Sequence, residues 1–218
     1  MKSKEAEVTI LTAIFGIAST YALSVYAKQG AVVGASLICL IGGLFFGNYA
    51  GVNNSGAFAG MSSSKVMPSI EYTFLAGILV CVFWITLIKS FLGYGGKQGT
   101  IGMLSVIISS ILLWVYNPIG YFDPNAYSGL DLTYVILVVV FSAIGAATTI
   151  ILREKVVQKV IKTNDPVIGA AFVGLAAGLL LPTASIPYAS RLPLVVAAGS
   201  YAGMSSRKVL PEYMDFLI

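Results

Sequence analysis

The sequence predicts an all-α polytopic membrane protein with about eight transmembrane segments, six clear and two short or broken, arranged as an inverted structural repeat. Three observations predict it. Hydrophobic residues make up 57% of the 218 residues and charged residues only 10%, against roughly 25% charged in soluble domains. Several apolar runs reach the roughly 20 residues that a helix needs to cross a hydrocarbon core about 30 Å thick. One stretch occurs twice, as GAFAGMSSSKVMP at 56–68 and GSYAGMSSRKVLP at 199–211, with nine of thirteen positions identical. The apolar runs do not alternate with polar residues as barrel strands do. Helices are therefore the expected spanning element, because a helix satisfies its own backbone hydrogen bonds in lipid.

The elements follow in order along a single membrane domain, 1–218. A first span is expected at 8–27. Its basic start and small residues near Ala27 also fit a secretory signal, but the apolar core is about 20 residues rather than the usual 7–15, which favours a retained span. A second span, 31–49, carries glycines, and 52–68 holds the first copy of the repeated stretch, whose serines, glycines and lysine make it a short or broken segment. Two linking spans fall at 71–93 and 100–118. The loop NPIGYFDPNAYSGLD, 117–131, has turn chemistry and separates the halves. Spans at 131–152 and 166–183 follow, and 191–209 holds the second copy.

The duplication extends beyond the thirteen residues. AVVGASLICLIGGLF (31–45) aligns with PVIGAAFVGLAAGLL (166–180), matching Gly34 to Gly169, Ala35 to Ala170 and Gly43 to Gly178. Keeping register with the second motif requires an eight-residue insertion near TASIPYAS, 183–190, where a loop tolerates it. Repeat A is thus 8–68, the linking spans 71–118 and repeat B 131–211. With eight spans and both termini inside, Lys2, Lys4, Lys89, Lys97, Arg153, Lys155, Lys159, Lys162, Arg207 and Lys208 are cytoplasmic and only Lys28, Lys65 and Arg191 are outside. That ten-to-three asymmetry obeys the positive-inside tendency. If neither motif segment crosses, the division is seven to six, which is no bias. Five spans separate the starts of the repeats, and an odd offset inverts one relative to the other. The expected location is the plasma (inner) membrane with cytoplasmic termini.

Inverted repeats bring equivalent short or glycine-interrupted segments to a shared site near the bilayer centre. Asn53, Asn54, Ser55, Ser62, Ser63 and Ser64 in the first copy, with Tyr201, Ser205 and Ser206 in the second, are the candidate solute-binding or pore-lining residues. Hydroxyls and amides can replace the hydration shell of a small ion or polar solute. Lys65, Arg207 and Lys208 are candidates for charge selectivity, although lysine and arginine at such places also snorkel to headgroups. Gly56, Gly60, Gly199 and Gly203 either break the helix or pack helices closely, as small residues four apart do in membranes.

Other chemistry lacks its residues. There is no histidine, which removes the commonest metal ligand and proton shuttle. No carboxylate lies deep in a clear span, and no nucleophile is paired with a base. An enzyme is not expected, nor a cofactor, nor a metal. Dispersed basic residues exclude a nucleic-acid surface. Cys39 and Cys81 sit in apolar runs as small hydrophobes. FLGYGGKQGT, 91–100, lacks P-loop spacing and reads as a flexible cytoplasmic turn. The expected function is a channel or facilitator-type transporter for a small polar or ionic solute, with the lipid bilayer and that solute as partners. Homo-oligomerisation is compatible with the small-residue faces. The alternative is a non-catalytic membrane scaffold or accessory subunit, with those faces as contact surfaces.

Overall fold

The computed structural model describes residues 3–90, 92–114, 131–163 and 165–206. Among them every regular element is helical. Three helical stretches, Lys4–Tyr26, Leu132–Ile161 and Pro166–Thr183, are long and apolar enough to cross a membrane, and four shorter ones are also apolar. The chain divides into two compact units, Met1–Leu92 with Lys97–Asp123, and Gly93–Gly96 with Pro124–Ile218. The expected loop at 117–131 lies outside the described residues apart from Asp131, as do Arg207 and Lys208.

In the first unit, α1 (Ser3–Tyr21) continues as a π-helical turn, Ala22–Tyr26. Then come α2 (Ala31–Phe45), α3 (Ala50–Ala59), α4 (Tyr72–Leu87) and α5 (Lys97–Trp114). The short α3 is the central element and packs on all four others. Its approach to α1 is possible only because both contribute glycine. A Cβ on Gly16 would run into the carbonyl oxygen of Asn53, one on Gly56 into that of Ala13, and one on Gly60 would stand 2.5 Å from that of Ile17. Around this crossing Ala13, Ile17, Val52, Ala59, Val80 and Ile101 form the buried core. The Tyr21 hydroxyl donates to the Met67 carbonyl, tying the end of the first motif to α1.

The second unit repeats this local grammar. Its α6 (Leu132–Leu152) runs into a nine-residue π-helical stretch, Arg153–Ile161, and is followed by α7 (Pro166–Leu180) and α8 (Leu192–Ala202). Here α8 packs on α6 and α7. A Cβ on Gly145 would meet the Val196 carbonyl, one on Gly199 that of Ser142, and one on Gly203 would stand 2.5 Å from that of Ala146. Gly34 faces the Thr20 carbonyl in the first unit, and Gly169 the Thr149 carbonyl in the second. Both π-helical stretches are followed by a lysine in left-handed conformation, Lys28 at φ 54° and Lys162 at φ 59°. Each is sealed by a wide backbone bond, Gln29 N–H to Leu23 at 3.0 Å and Thr163 N–H to Val157 at 3.3 Å, which satisfies otherwise orphaned carbonyls.

Side-chain caps open α6 and α7. Asp131 accepts from the Tyr134 N–H at 3.0 Å and from the Tyr188 hydroxyl at 3.1 Å, so the 183–190 insertion is anchored to the head of α6. Asp165 accepts from the Val167 N–H at 2.9 Å, with Pro166 at the first helical position. The motif segments stop short for equally local reasons. After α3, Gly60 and then Ser62, whose hydroxyl donates to the Ala59 carbonyl at 2.7 Å, turn the chain away.

Polarity is distributed as a lipid solvent would select it. On α4 the large apolar residues Phe74, Ile78, Val82 and Ile85 are all exposed, one above the other. On α6 the same holds for Val135, Ile136, Val139, Val140 and Ile144. Meanwhile Thr20, Asn53, Asn54, Ser55, Ser105 and Ser109 are buried. Contiguous exposed apolar stripes of this kind are rare on water-soluble monomers.

Candidate functional site

The first group of sequence-predicted residues lies in the middle of α3. Asn53 is fully buried, and its amide donates to the Ile38 carbonyl at 3.0 Å, while its Oδ1 has no protein partner. Its carboxamide occupies the space that a side chain on Gly42 would need. Asn54 is buried beside it and accepts from the Cys39 thiol. Both asparagines therefore face α2. Ser55 turns back on its own helix and donates to the Gly51 carbonyl at 3.1 Å. In the second unit, the glycine correspondence puts Val196, Ala197 and Ala198 at these three places, so the amide cluster is not duplicated.

The serines lie past the ends of the short helices. Ser62 is half-buried, whereas Ser63, Ser64 and Lys65 are exposed in the turn that follows α3. In the second unit Ser205 is buried and accepts from the Gly95 N–H at 2.7 Å. The Ser206 N–H donates to the Gly93 carbonyl at 2.7 Å. Tyr201 is half-buried, and its carbonyl sits so close to Gly95 that no larger residue fits there. The glycine-rich turn expected to be flexible is thus hydrogen-bonded to the second motif. Glycine is required at 93 and 96, both at φ 86°.

Three functional candidates escaped the sequence reading. Thr20 and Thr149 are fully buried, and neither hydroxyl has a protein partner. They occupy equivalent places, because a Cβ on Gly60 would lie 2.7 Å from the Thr20 Cβ and one on Gly203 would lie 2.9 Å from the Thr149 Cβ. Each threonine therefore stands beside the glycine that opens GMSS. The signal was available in TAIFGIAST (12–20) and FSAIGAATT (141–149), which share the glycine and the final threonine. Arg153 is the third. It is 6% exposed and donates through Nη1 to the carbonyls of Gly203 at 3.1 Å and Ser205 at 2.8 Å. Its Nη2 lies 3.5 Å from Glu154. Ser24, which packs by Gly34 as Arg153 packs by Gly169, takes the corresponding place in the first unit.

A buried oxygen without a partner costs about 1–3 kcal/mol unless water, an ion or a solute satisfies it. Three of them, at Thr20, Asn53 and Thr149, flank the motif segments. The described residues hold no cluster of His, Cys, Asp and Glu able to bind a metal. Within the first unit Thr20 and Asn53 offer a hydroxyl and an amide oxygen, and within the second Thr149 offers a hydroxyl, each able to accept a hydrogen bond or coordinate a small solute. Comparison with family models, with curated proteins and with solved structures finds no match.

Proposed function

We propose that this chain is a channel or facilitator-type membrane transporter for a small polar or ionic solute, built from eight spans as an inverted repeat. The observation that carries the reading is a pair of buried threonines, Thr20 and Thr149, whose hydroxyls have no protein partner and which stand at equivalent places beside the two motif glycines. Two further features support it. The motifs begin in the last turn of the two shortest α-helices described, ten and eleven residues long, and run past their ends, and short interrupted helices at matching positions are the usual sign of a transport site. The glycine faces are spent inside each unit, Gly56 and Gly60 on α1, Gly199 and Gly203 on α6. A scaffold would need such faces free for its partner. Ser62, Ser63, Ser205 and Ser206 complete the proposed lining.

Reconstitution of the purified protein alone in liposomes tests this reading, with flux of small polar solutes and monovalent ions compared with empty vesicles. Thr20→Val and Thr149→Val keep shape and remove one hydroxyl each. Both variants should fold at least as stably as the parent, yet lose solute affinity by about tenfold to a hundredfold, the equivalent of one charge-assisted hydrogen bond of about 1.5–3 kcal/mol. Ser62→Ala with Ser63→Ala should show a comparable loss. Absence of flux for every solute, or variants that transport like the parent, would sink the proposal.

The topology is tested separately. Single cysteines introduced into a background lacking Cys39 and Cys81 should label from the cytoplasm at position 4 and from outside at position 65. Labelling of both from the same side removes the eight-span inverted arrangement.

A further inference from the structure

The two units differ where the first helix of each ends. The π-helical stretch is five residues, ALSVY, in the first unit and nine, REKVVQKVI, in the second. The shorter version carries no charge. The longer one carries Arg153, Glu154, Lys155 and Lys159, and these line a cavity of about 590 Å³ together with Gln158 and Ser206. π-helical turns are rare and are frequently found at functional sites.

We propose that this cavity binds a phosphate-bearing anion, either the headgroup of an anionic lipid or a free phosphate compound. Charge is the first argument. The lining has three basic side chains against one acidic, and Arg153 is held rigidly at its base by the carbonyls of Gly203 and Ser205. Because that guanidinium is already engaged, it supplies fixed positive potential, while the exposed Lys155 and Lys159 supply movable donors. Point-charge ammonium groups on flexible stems suit a phosphate that enters from solvent or from a bilayer surface. Gln158 and the Ser206 hydroxyl add neutral hydrogen bonds to the remaining oxygens.

Depth is the second argument. The continuous helical stretch Leu132–Ile161 is thirty residues long, whereas about twenty cross the hydrocarbon. Its apolar part, Leu132–Leu152, fills that length, so the charged π-helical end emerges at headgroup level. Basic pockets at this depth are where anionic headgroups bind. The ligand would touch Ser206 of the second motif and Arg153, the residue that holds the motif carbonyls. Occupancy would therefore stiffen the end of α8.

The test uses the full-length protein, delipidated in detergent. Native mass spectrometry should find one phosphatidylglycerol retained in preference to phosphatidylcholine, and inorganic phosphate should raise the melting temperature saturably relative to chloride at equal ionic strength. Lys155→Gln combined with Lys159→Gln changes only exposed side chains and should weaken both effects at least tenfold. Lys89→Gln, far along the chain and outside the cavity, should change neither. Glu154→Gln removes the one acidic group and should tighten binding. Retention of phosphatidylglycerol without a phosphate effect assigns the cavity to a lipid headgroup. A phosphate effect without lipid preference assigns it to a soluble phosphate compound. Neither effect, or effects that survive the double lysine substitution, overturns the proposal.

Discussion

Gly56→Leu and Gly199→Leu are each expected to prevent the protein from reaching its folded state in detergent. At both positions even a methyl group would penetrate a backbone carbonyl, that of Ala13 for Gly56 and that of Ser142 for Gly199. Backbone cannot swing aside as the end of a long side chain can. Overpacking of a close contact costs about 1–3 kcal/mol for small additions, and four carbons between two helices exceed that range. The helices would have to separate along their whole crossing, since Gly16 and Gly60 depend on the same approach in the first unit, and Gly145 and Gly203 in the second. Gly169→Ala is the contrasting case. Its nearest atoms stand at 3.4 Å, ordinary contact distance, so thermal stability should remain close to that of the parent. Size-exclusion profile and melting temperature measure both. If the leucine variants behave like Gly169→Ala, the glycine crossings do not hold the helices together within either unit.

These contrasts show how much of the molecule was legible in the sequence. Helical character and the positions of the apolar segments follow from composition and run length, because lipid allows a lone segment few alternatives. The duplicated motif identified the right glycines, but sequence could not say whether they served packing or flexibility. The would-be Cβ positions decide for packing at Gly56, Gly60, Gly199 and Gly203. The helix-ending role of GMSS was partly visible, since serine competes for backbone carbonyls. What sequence could not supply was the partner of each polar group. Ser205 reads as a free hydroxyl, yet it accepts from Gly95, 110 positions away. Thr20 and Thr149 read as ordinary helix threonines. Their meaning lies in an absence of partners that only three-dimensional packing reveals. Arg153 was read as a cytoplasmic charge that orients the chain, because topology rules treat basic residues as interchangeable.

Arg153 is not interchangeable, and Arg153→Met should be the most damaging single change outside the glycine crossings. Methionine approximates the length of the stem and removes the guanidinium. The Gly203 and Ser205 carbonyls then lose a donor that reaches them at 3.1 and 2.8 Å, and Glu154 loses its neighbouring cation. Hydrogen bonds to a charged group are worth about 1.5–3 kcal/mol each, and breaking a buried charged contact by removing one member costs about 3–5 kcal/mol. Arg153→Lys should recover only part of this, since one ammonium cannot reproduce the rigid fork that spans two carbonyls. The loss should also be local. Ser206, whose N–H is bonded to Gly93, sits directly beyond the latched carbonyls, so its amide should exchange with deuterium much faster in Arg153→Met. Amides in α3 of the first unit should keep their parent rates. Uniformly faster exchange would mean general destabilisation rather than release of a latch, and unchanged exchange at Ser206 would mean that Arg153 does not hold the second motif at all.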